Sequence, residues 1–479
     1  MEQKRTRNII ISCIVILVIA CVVVGVIGLG GLGVSLIWPF NRTTETEETI
    51  VTEETSIAQN ETDTPEEMET PEEADEPTEE VDESDLPEDM VRSMESIESQ
   101  VSRLRGLFTT DSITWELISE ADLEEIVRED FFADYSDEDA VRDAQILASL
   151  GLLPYEFDLK SFYNELYSEQ IAGFYDDEEK AMYVVQGAGF GGYEKMTYAH
   201  EYTHFLQDQT YDLENGLMLN DEACEADSER CAAVTALIEG DAVLSEYLWF
   251  QNYATKKDYD DVVAAYEDYE SPVLDSAPPY MSADLYFPYD DGLVFVEGIY
   301  NEGGYAAVDE VYANVPVSTE QILHPERYPD DVPVAVDLPD LTDTLGGEWY
   351  LYDQNVMGEW YTFLILNKAY ESDFQLSGDV ASGAAEGWGG DAYAFYLNPD
   401  TEEVIFVMDT VWDTAQDADE FLDAFIEYAS LRWDPGITSS VRSWTGVDGT
   451  VVFWRDGDRT AWVTAPTFEM AAAILSVLE

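Results

Sequence analysis

His200-Glu201-Tyr202-Thr203-His204 sets two histidines four residues apart, in a 479-residue chain whose one other histidine is His324. Residues four apart share a helix face, so both imidazoles reach one cation. Glu201, one position on from His200, sits beside that cation, where it can take a proton from a metal-bound water. The pattern is that of a zinc-binding helix; with histidine this scarce, roughly 0.002 chance matches are expected in the chain. Two polar residues on an ordinary amphipathic helix is the plain alternative. Ile171-Ala-Gly-Phe-Tyr175 and Ala181-Met-Tyr-Val-Val185 read as two short strands about a polar turn, and a helix is predicted from Glu194 to about Gln209. An extended peptide adding to such a strand by main-chain hydrogen bonds would bring its scissile carbonyl to the metal. Asp208, four residues past His204, is read as orienting a ligand or as a solvated or capping residue.

A catalytic zinc site needs a third protein ligand and an open position. Glu239, in Ala236-Leu-Ile-Glu-Gly-Asp-Ala242, lies in an apolar helical stretch where a buried carboxylate needs a cation or a partner. It is the preferred third ligand, against a surface glutamate. Asp241 points to another side of the helix and reads as a supporting or packing residue. His324, in Ile322-Leu-His-Pro-Glu-Arg327, is the competing ligand, or a hydrogen-bond donor to the tetrahedral intermediate, or a structural histidine.

The strings AHEYTHFLQDQ (199–209), ALIEGDA (236–242), EGIYNEGGYAAVDEVY (297–312) and VSTEQILHPERY (317–328), with GWGGDAYAFY (387–396) and MDTVWDTAQDADEF (408–421), occur in that order. Together they resemble membrane-anchored surface proteins of halophilic archaea, and related bacterial exported proteins, that carry a gluzincin-type HExxH metalloprotease core. The resemblance runs from about Ser161 to the C-terminus. It implies a zinc-dependent peptidase with His200, His204 and Glu239 as ligands and Glu201 as general base.

The formal charge is −82. Residues 43–91 hold 21 acidic and no basic residues, yet residues 92–479 still hold 81 acidic against 17 basic, a net of −64. Self-repulsion on that scale is screened in molar salt, where the Debye length is about 3 Å. With 13% aromatic and 46% hydrophobic residues, the body reads as a salt-adapted globular protein. Nucleic acid is excluded as a partner for want of a basic patch. Lys4, Arg5 and Arg7 precede an uncharged, mostly apolar run over residues 9–37. This reads as a single transmembrane anchor with residues 1–8 cytoplasmic and the body outside; a cleaved signal peptide or a lipoprotein box ending at Cys21 are the alternatives. Residues 43–91 form a Thr/Glu/Pro stalk, with N-glycosylation sequons at Asn41 and Asn60. Outside the anchor the two cysteines are Cys224 and Cys231, for which a disulfide is reasonable.

The expected fold class is α+β: a mainly helical, zincin-like metallopeptidase domain over residues 92–335 and an antiparallel α+β domain over 345–479. Helices are predicted at 92–107, 122–129, 138–149 and 159–169, a Pro-rich loop at 271–288, and helix again at 292–314 with a break at Gly303-Gly304. Hairpins are predicted across Asn398-Pro-Asp400 and Asp456-Gly457-Asp458, with helices at 359–370, 415–429 and 468–478. The function expected is peptide-bond hydrolysis by a metal-activated water at a halophile's cell surface. Its substrate would be an extracellular peptide or protein, its cofactor Zn2+, with the cell-envelope surface layer as a further partner. The rival readings are a non-catalytic envelope protein on a zincin-like scaffold, and zinc hydrolysis of a non-peptide amide.

Overall fold

The HEYTH stretch lies inside a twenty-residue helix, Gly192–Tyr211, that is buried along most of its length. The computed structural model describes residues 87–478 apart from 129–131, 133, 134, 172, 177–179, 186–189, 436–441 and 448. The expected cytoplasmic segment, the anchor (9–37) and all but the end of the stalk (43–91) lie outside the described residues. No helix among the described residues is long and apolar enough to cross a membrane.

The first part runs α1 (Glu88–Arg105), β1 (Thr114–Ile118), α2 (Glu120–Ile126), α3 (Asp137–Ser149), α4 (Leu159–Gln170), β2 (Gly173–Asp176), β3 (Ala181–Val185), α5 (Gly192–Tyr211), α6 (Asp221–Ala226), α7 (Ser228–Tyr253), α8 (Lys256–Asp268), α9 (Pro272–Asp275), α10 (Pro279–Gly303), α11 (Tyr305–Tyr312) and α12 (Thr319–Leu323). Helix starts follow capping chemistry: Ser136, Asp158, Asp227 and Thr255 each accept a first-turn backbone N–H. α1 begins at Glu88, inside the end of the expected stalk, because Pro87 precedes it and Met94, Ile97 and Val101 bury one face. A three-stranded sheet has the order β1-β3-β2, parallel between β1 and β3 and antiparallel between β3 and β2. The two expected strands are therefore present. β1, for which no element was predicted, pairs with β3 and leaves β2 as an edge strand beside α5.

α7 and α10 form the most extensive helix pair of the fold, and glycine lets them meet. A Cβ on Gly240 would fall 2.2 Å from the Gly292 carbonyl, and one on Gly292 would fall 2.2 Å from the Ala236 oxygen. The expected Pro-rich loop over 271–288 is largely helix instead. Pro279 occupies the first turn of α10, where its missing N–H is no loss. Pro288 lies inside the helix, at a cost of about 3 kcal/mol. Phe287, Tyr289, Phe295 and Val296 are buried along the same helix, at about 1.5–3 kcal/mol for each large apolar side chain, so burial wins. The break falls where expected: α10 ends at Gly303, and Gly304 has φ +67°.

The second part comprises α13 (Thr342–Leu345), β4 (Tyr350–Asn355), α14 (Gly358–Asn367), α15 (Gly378–Ala385), β5 (Trp388–Leu397), β6 (Val404–Trp412), α16 (Ala415–Arg432), β7 (Asp434–Pro435), β8 (Arg442–Gly446), β9 (Gly449–Asp456), β10 (Arg459–Ala465) and α17 (Phe468–Leu478). Its strands make one seven-stranded antiparallel sheet in the order β4-β5-β6-β10-β9-β8-β7. The chain is thus mixed α+β with a C-terminal antiparallel sheet, as expected. One apolar cluster joins the two parts: Phe287 of α10 stacks on Trp360 of α14 at 4.6 Å, within a core that runs from Ala144 to Trp462. Residues 335–345 therefore separate two arrangements of elements that share a core.

Candidate metal centre

α5 and α7 bring three donor atoms together. His200 Nε2 and His204 Nε2 lie 3.1 Å apart, and Glu239 Oε2 lies 3.2 Å from the first and 3.3 Å from the second. Three donors each about 2.0–2.1 Å from a tetrahedral zinc ion are about 3.3 Å apart, so the side chains already stand at coordination spacing. The other oxygen of Glu239 is buried without a hydrogen-bond partner, which fits a group awaiting a cation. Glu201 also converges here, its carboxylate and the two imidazoles offering ligand atoms within 4.8 Å of one another. Its Oε2 accepts the Tyr175 N–H of β2 at 3.0 Å. None of the four residues is more than 2% exposed.

The electrostatics also call for positive charge. Burial works against protonation of His200, but the Glu239 and Glu246 carboxylates prevail and push its pKa up to about 10. Burial opposes protonation of His204 too, and Glu239 again outweighs it. Burial would raise Glu239, yet the two imidazoles hold it below its ordinary value. Three carboxylates, Glu201, Glu239 and Glu246, thus face two imidazoles, and a divalent cation would balance them better than protons do.

The groups behind the histidines differ from the expectation. His200 Nδ1 is 3.2 Å from Glu246 Oε2, and His204 Nδ1 is 2.9 Å from Gln207 Oε1. Asp208, the residue considered for that role, instead accepts from the Tyr175 hydroxyl at 3.0 Å and from Lys180 Nζ at 2.6 Å, tying α5 to β2 and the β2–β3 turn. Glu246 was legible: it stands seven residues, two helical turns, past Glu239 and so shares its face. Asp241 is a supporting residue, accepting from Gln207 and the Tyr312 hydroxyl and paired with a fully buried Arg105.

His324 is elsewhere. Its Nε2 lies 2.8 Å from Glu359 Oε1 on α14, which raises its pKa. None of its hydrogen bonds reaches His200, His204 or Glu239. With Nε2 engaged by Glu359, His324 is not among the donor atoms grouped with His200 and His204. Glu320, Asp331 and Asp413 form a second carboxylate group, but Arg327 already stands among them, 3.0 Å from Asp413 and 3.5 Å from Asp331. Two clefts of about 610 and 700 Å3 open beside the C-terminal sheet, around Tyr155 and Val447, and neither is lined by the four residues of the centre. The candidate centre is therefore marked by its donor chemistry and not by a cleft. Cys224 and Cys231 are joined in a disulfide, Cα–Cα 5.5 Å, that ties α6 to α7.

Residues 349–475 match a family described as a domain of unknown function, DUF8575, which covers the C-terminal sheet and its helices. No curated protein and no solved structure matches the chain.

Proposed function

We propose that this chain is a zinc-dependent metallopeptidase of the HExxH-plus-glutamate kind. It would be held at a cell surface by residues 9–37 and carried outward on the stalk of residues 43–91, in concentrated salt. The observation that carries the reading is the buried triangle of His200 Nε2, His204 Nε2 and Glu239 Oε2, with edges of 3.1–3.3 Å and Glu201 against it. Zinc held there would supply Lewis acidity and make water acidic enough to lose a proton near neutrality. Glu201, beside the two imidazoles, would be the residue to accept that proton and pass it to the departing amine. An extended substrate adding to the edge strand β2 would present its carbonyl beside Glu201, since the Tyr175 N–H already points there. Disulfide formation between Cys224 and Cys231 supports a location outside the reducing cytoplasm.

One observation favours a non-catalytic envelope protein: Glu201 is 2% exposed and already hydrogen-bonded to the strand. A single experiment separates the two. Full-length protein in molar salt should hold one zinc per chain and cleave members of a peptide library, while Glu201→Gln should keep the zinc and lose turnover. A protein that takes up no zinc sinks the metal reading. Zinc uptake with no cleavage of any peptide overturns the peptidase reading.

A further inference from the structure

Gln207 is the pivot between the centre and the helices around it. Its Oε1 lies 2.9 Å from His204 Nδ1, while its Nε2 lies 3.0 Å from the Ile238 carbonyl, 3.0 Å from Asp241 Oδ2 and 2.9 Å from the Tyr312 hydroxyl. A primary amide carries both hydrogens on nitrogen and none on oxygen. The Ile238 carbonyl and the Asp241 carboxylate only accept, so the nitrogen must face them; the Tyr312 hydroxyl gives its own proton to Asp241 at 2.8 Å. The amide oxygen is thereby turned toward His204, and an oxygen accepts. His204 then keeps a proton at Nδ1, and in the neutral ring the lone pair is at Nε2, the atom facing His200 and Glu239. Turning the amide over would set its oxygen about 3.0 Å from a carboxylate and a carbonyl. It would also offer N–H to His204 and draw the lone pair to the wrong side of the ring.

Asp241 makes that flip unfavourable, and its counter-charge comes from the first helix. Arg105 is 0% exposed and its Nε lies 2.8 Å from Asp241 Oδ1. The same guanidinium reaches Asp309 at 2.6 Å and lies 4.6 Å from the Tyr305 ring centroid, which fixes its place. We propose that Asp241 is a positioning residue that sets the tautomer of His204 through the Gln207 amide, with Arg105 as its counter-charge, so that His204 Nε2 is offered to a divalent cation. The proposal rests on the reading of His204 as a metal ligand. What it adds is a control point one residue removed from the ligand shell.

The chain has only three histidines, so full-length protein labelled with 15N-histidine shows few ring signals. In wild-type protein, with chelator or with zinc, His204 should carry a slowly exchanging proton at Nδ1. D241N frees the amide to flip: the Nδ1 signal should weaken and zinc affinity, from chelator competition, should fall about 10- to 100-fold. Q207E/D241N should recover the Nδ1 signal and part of the affinity, because a carboxylate at 207 can only accept from His204 and the new amide at 241 donates to it, while the carboxylate's second oxygen loses the bond to the Ile238 carbonyl. A wild-type His204 protonated at Nε2 alone overturns the proposal. So does a folded D241N with unchanged Nδ1 signal and affinity, or a folded double variant no better than D241N. If D241N fails to fold, the wild-type spectrum and the double variant decide. Should wild-type protein take up no zinc, the metal reading fails, while a folded, chelated D241N with the wild-type Nδ1 signal and exchange rate still overturns the relay.

Discussion

Replacing Gly240 with alanine tests whether the close approach of α7 and α10 holds Glu239 against the two histidines. A Cβ there would lie 2.2 Å from both the carbonyl carbon and the oxygen of Gly292, and 2.8 Å from Leu293 N. All three are backbone atoms of the facing helix, so no side-chain rotation relieves the overlap. Ordinary contact starts near 3.4 Å, and the helices must part locally by about 1.2 Å. Alanine gains about 1 kcal/mol over glycine in a helix interior, whereas overpacking a core costs about 1–3 kcal/mol when side chains can give way. Here only backbone can, so the clash prevails and a net loss of about 1–3 kcal/mol is expected. Metal binding should suffer more. Glu239 and Asp241 flank the substituted residue, and donor distances in a metal site hold to about 0.2 Å, so a shift near an ångström takes Glu239 out of the donor set. Thermal unfolding in molar salt, followed by circular dichroism with and without zinc, reads both effects: a lower melting temperature without metal, and a smaller rise when zinc is added. Gly292→Ala, whose Cβ would meet the Ala236 oxygen at 2.2 Å, should behave alike. A Gly240→Ala protein that melts at or above the wild-type temperature, with an undiminished zinc response, refutes the reasoning.

The other expectations concern the whole body. With 81 acidic against 17 basic residues over 92–479, the protein should lose circular dichroism signal as salt drops from molar to about 0.1 M, where screening weakens; an unchanged spectrum across that range counts against salt adaptation. Burial pushes Asp143 and Asp353 up to about 7 and Asp284 and Asp391 up to about 6. These values exceed the unfolded value near 4, so the folded state binds more protons and stability declines as pH rises from about 4 through about 7. His200 without metal, raised to about 10, loses its contribution in the same direction between about 6.5 and 10. Chelated protein should therefore melt higher at about pH 5 than at about pH 8, and the reverse order would show that these carboxylates are ionised in the fold. Removing the Cys224–Cys231 bridge, which closes a separation of only 7 residues, should cost about 2–3 kcal/mol in chemical denaturation while leaving zinc affinity within a few-fold; loss of zinc binding would mean that the bridge sets the start of α7 more tightly than the chain-entropy view allows.

What could be read from the sequence was whatever announces itself locally. Two histidines at helical spacing, a carboxylate among Ala236, Leu237 and Ile238, and turn residues at Asn398-Pro-Asp400 and Asp456-Gly457-Asp458 each carry their signal within a few positions, and the corresponding helix and strand pairs are present. β4 and β7 are partly exposed edge strands with little apolar alternation, and nothing local marks them. Prolines at 279 and 288 misled, because the burial that outweighs Pro288 lies in a partner helix far along the chain. The centre shows the same division. Its donors were legible, whereas the choice between Gln207 and Asp208 as the group behind His204 was not. Both lie within a turn of His204, and what separates them is Asp241, reached only once α5 and α7 are packed. Arg105 is the limiting case. In its own helix it reads as one of two basic residues in a last turn, suited to the helix dipole. Its partner is 136 residues away, and a fully buried guanidinium is costly unless paired. Such a cation is tolerated where the carboxylate it balances has a task, and Asp241, set against the Gln207 amide, has one.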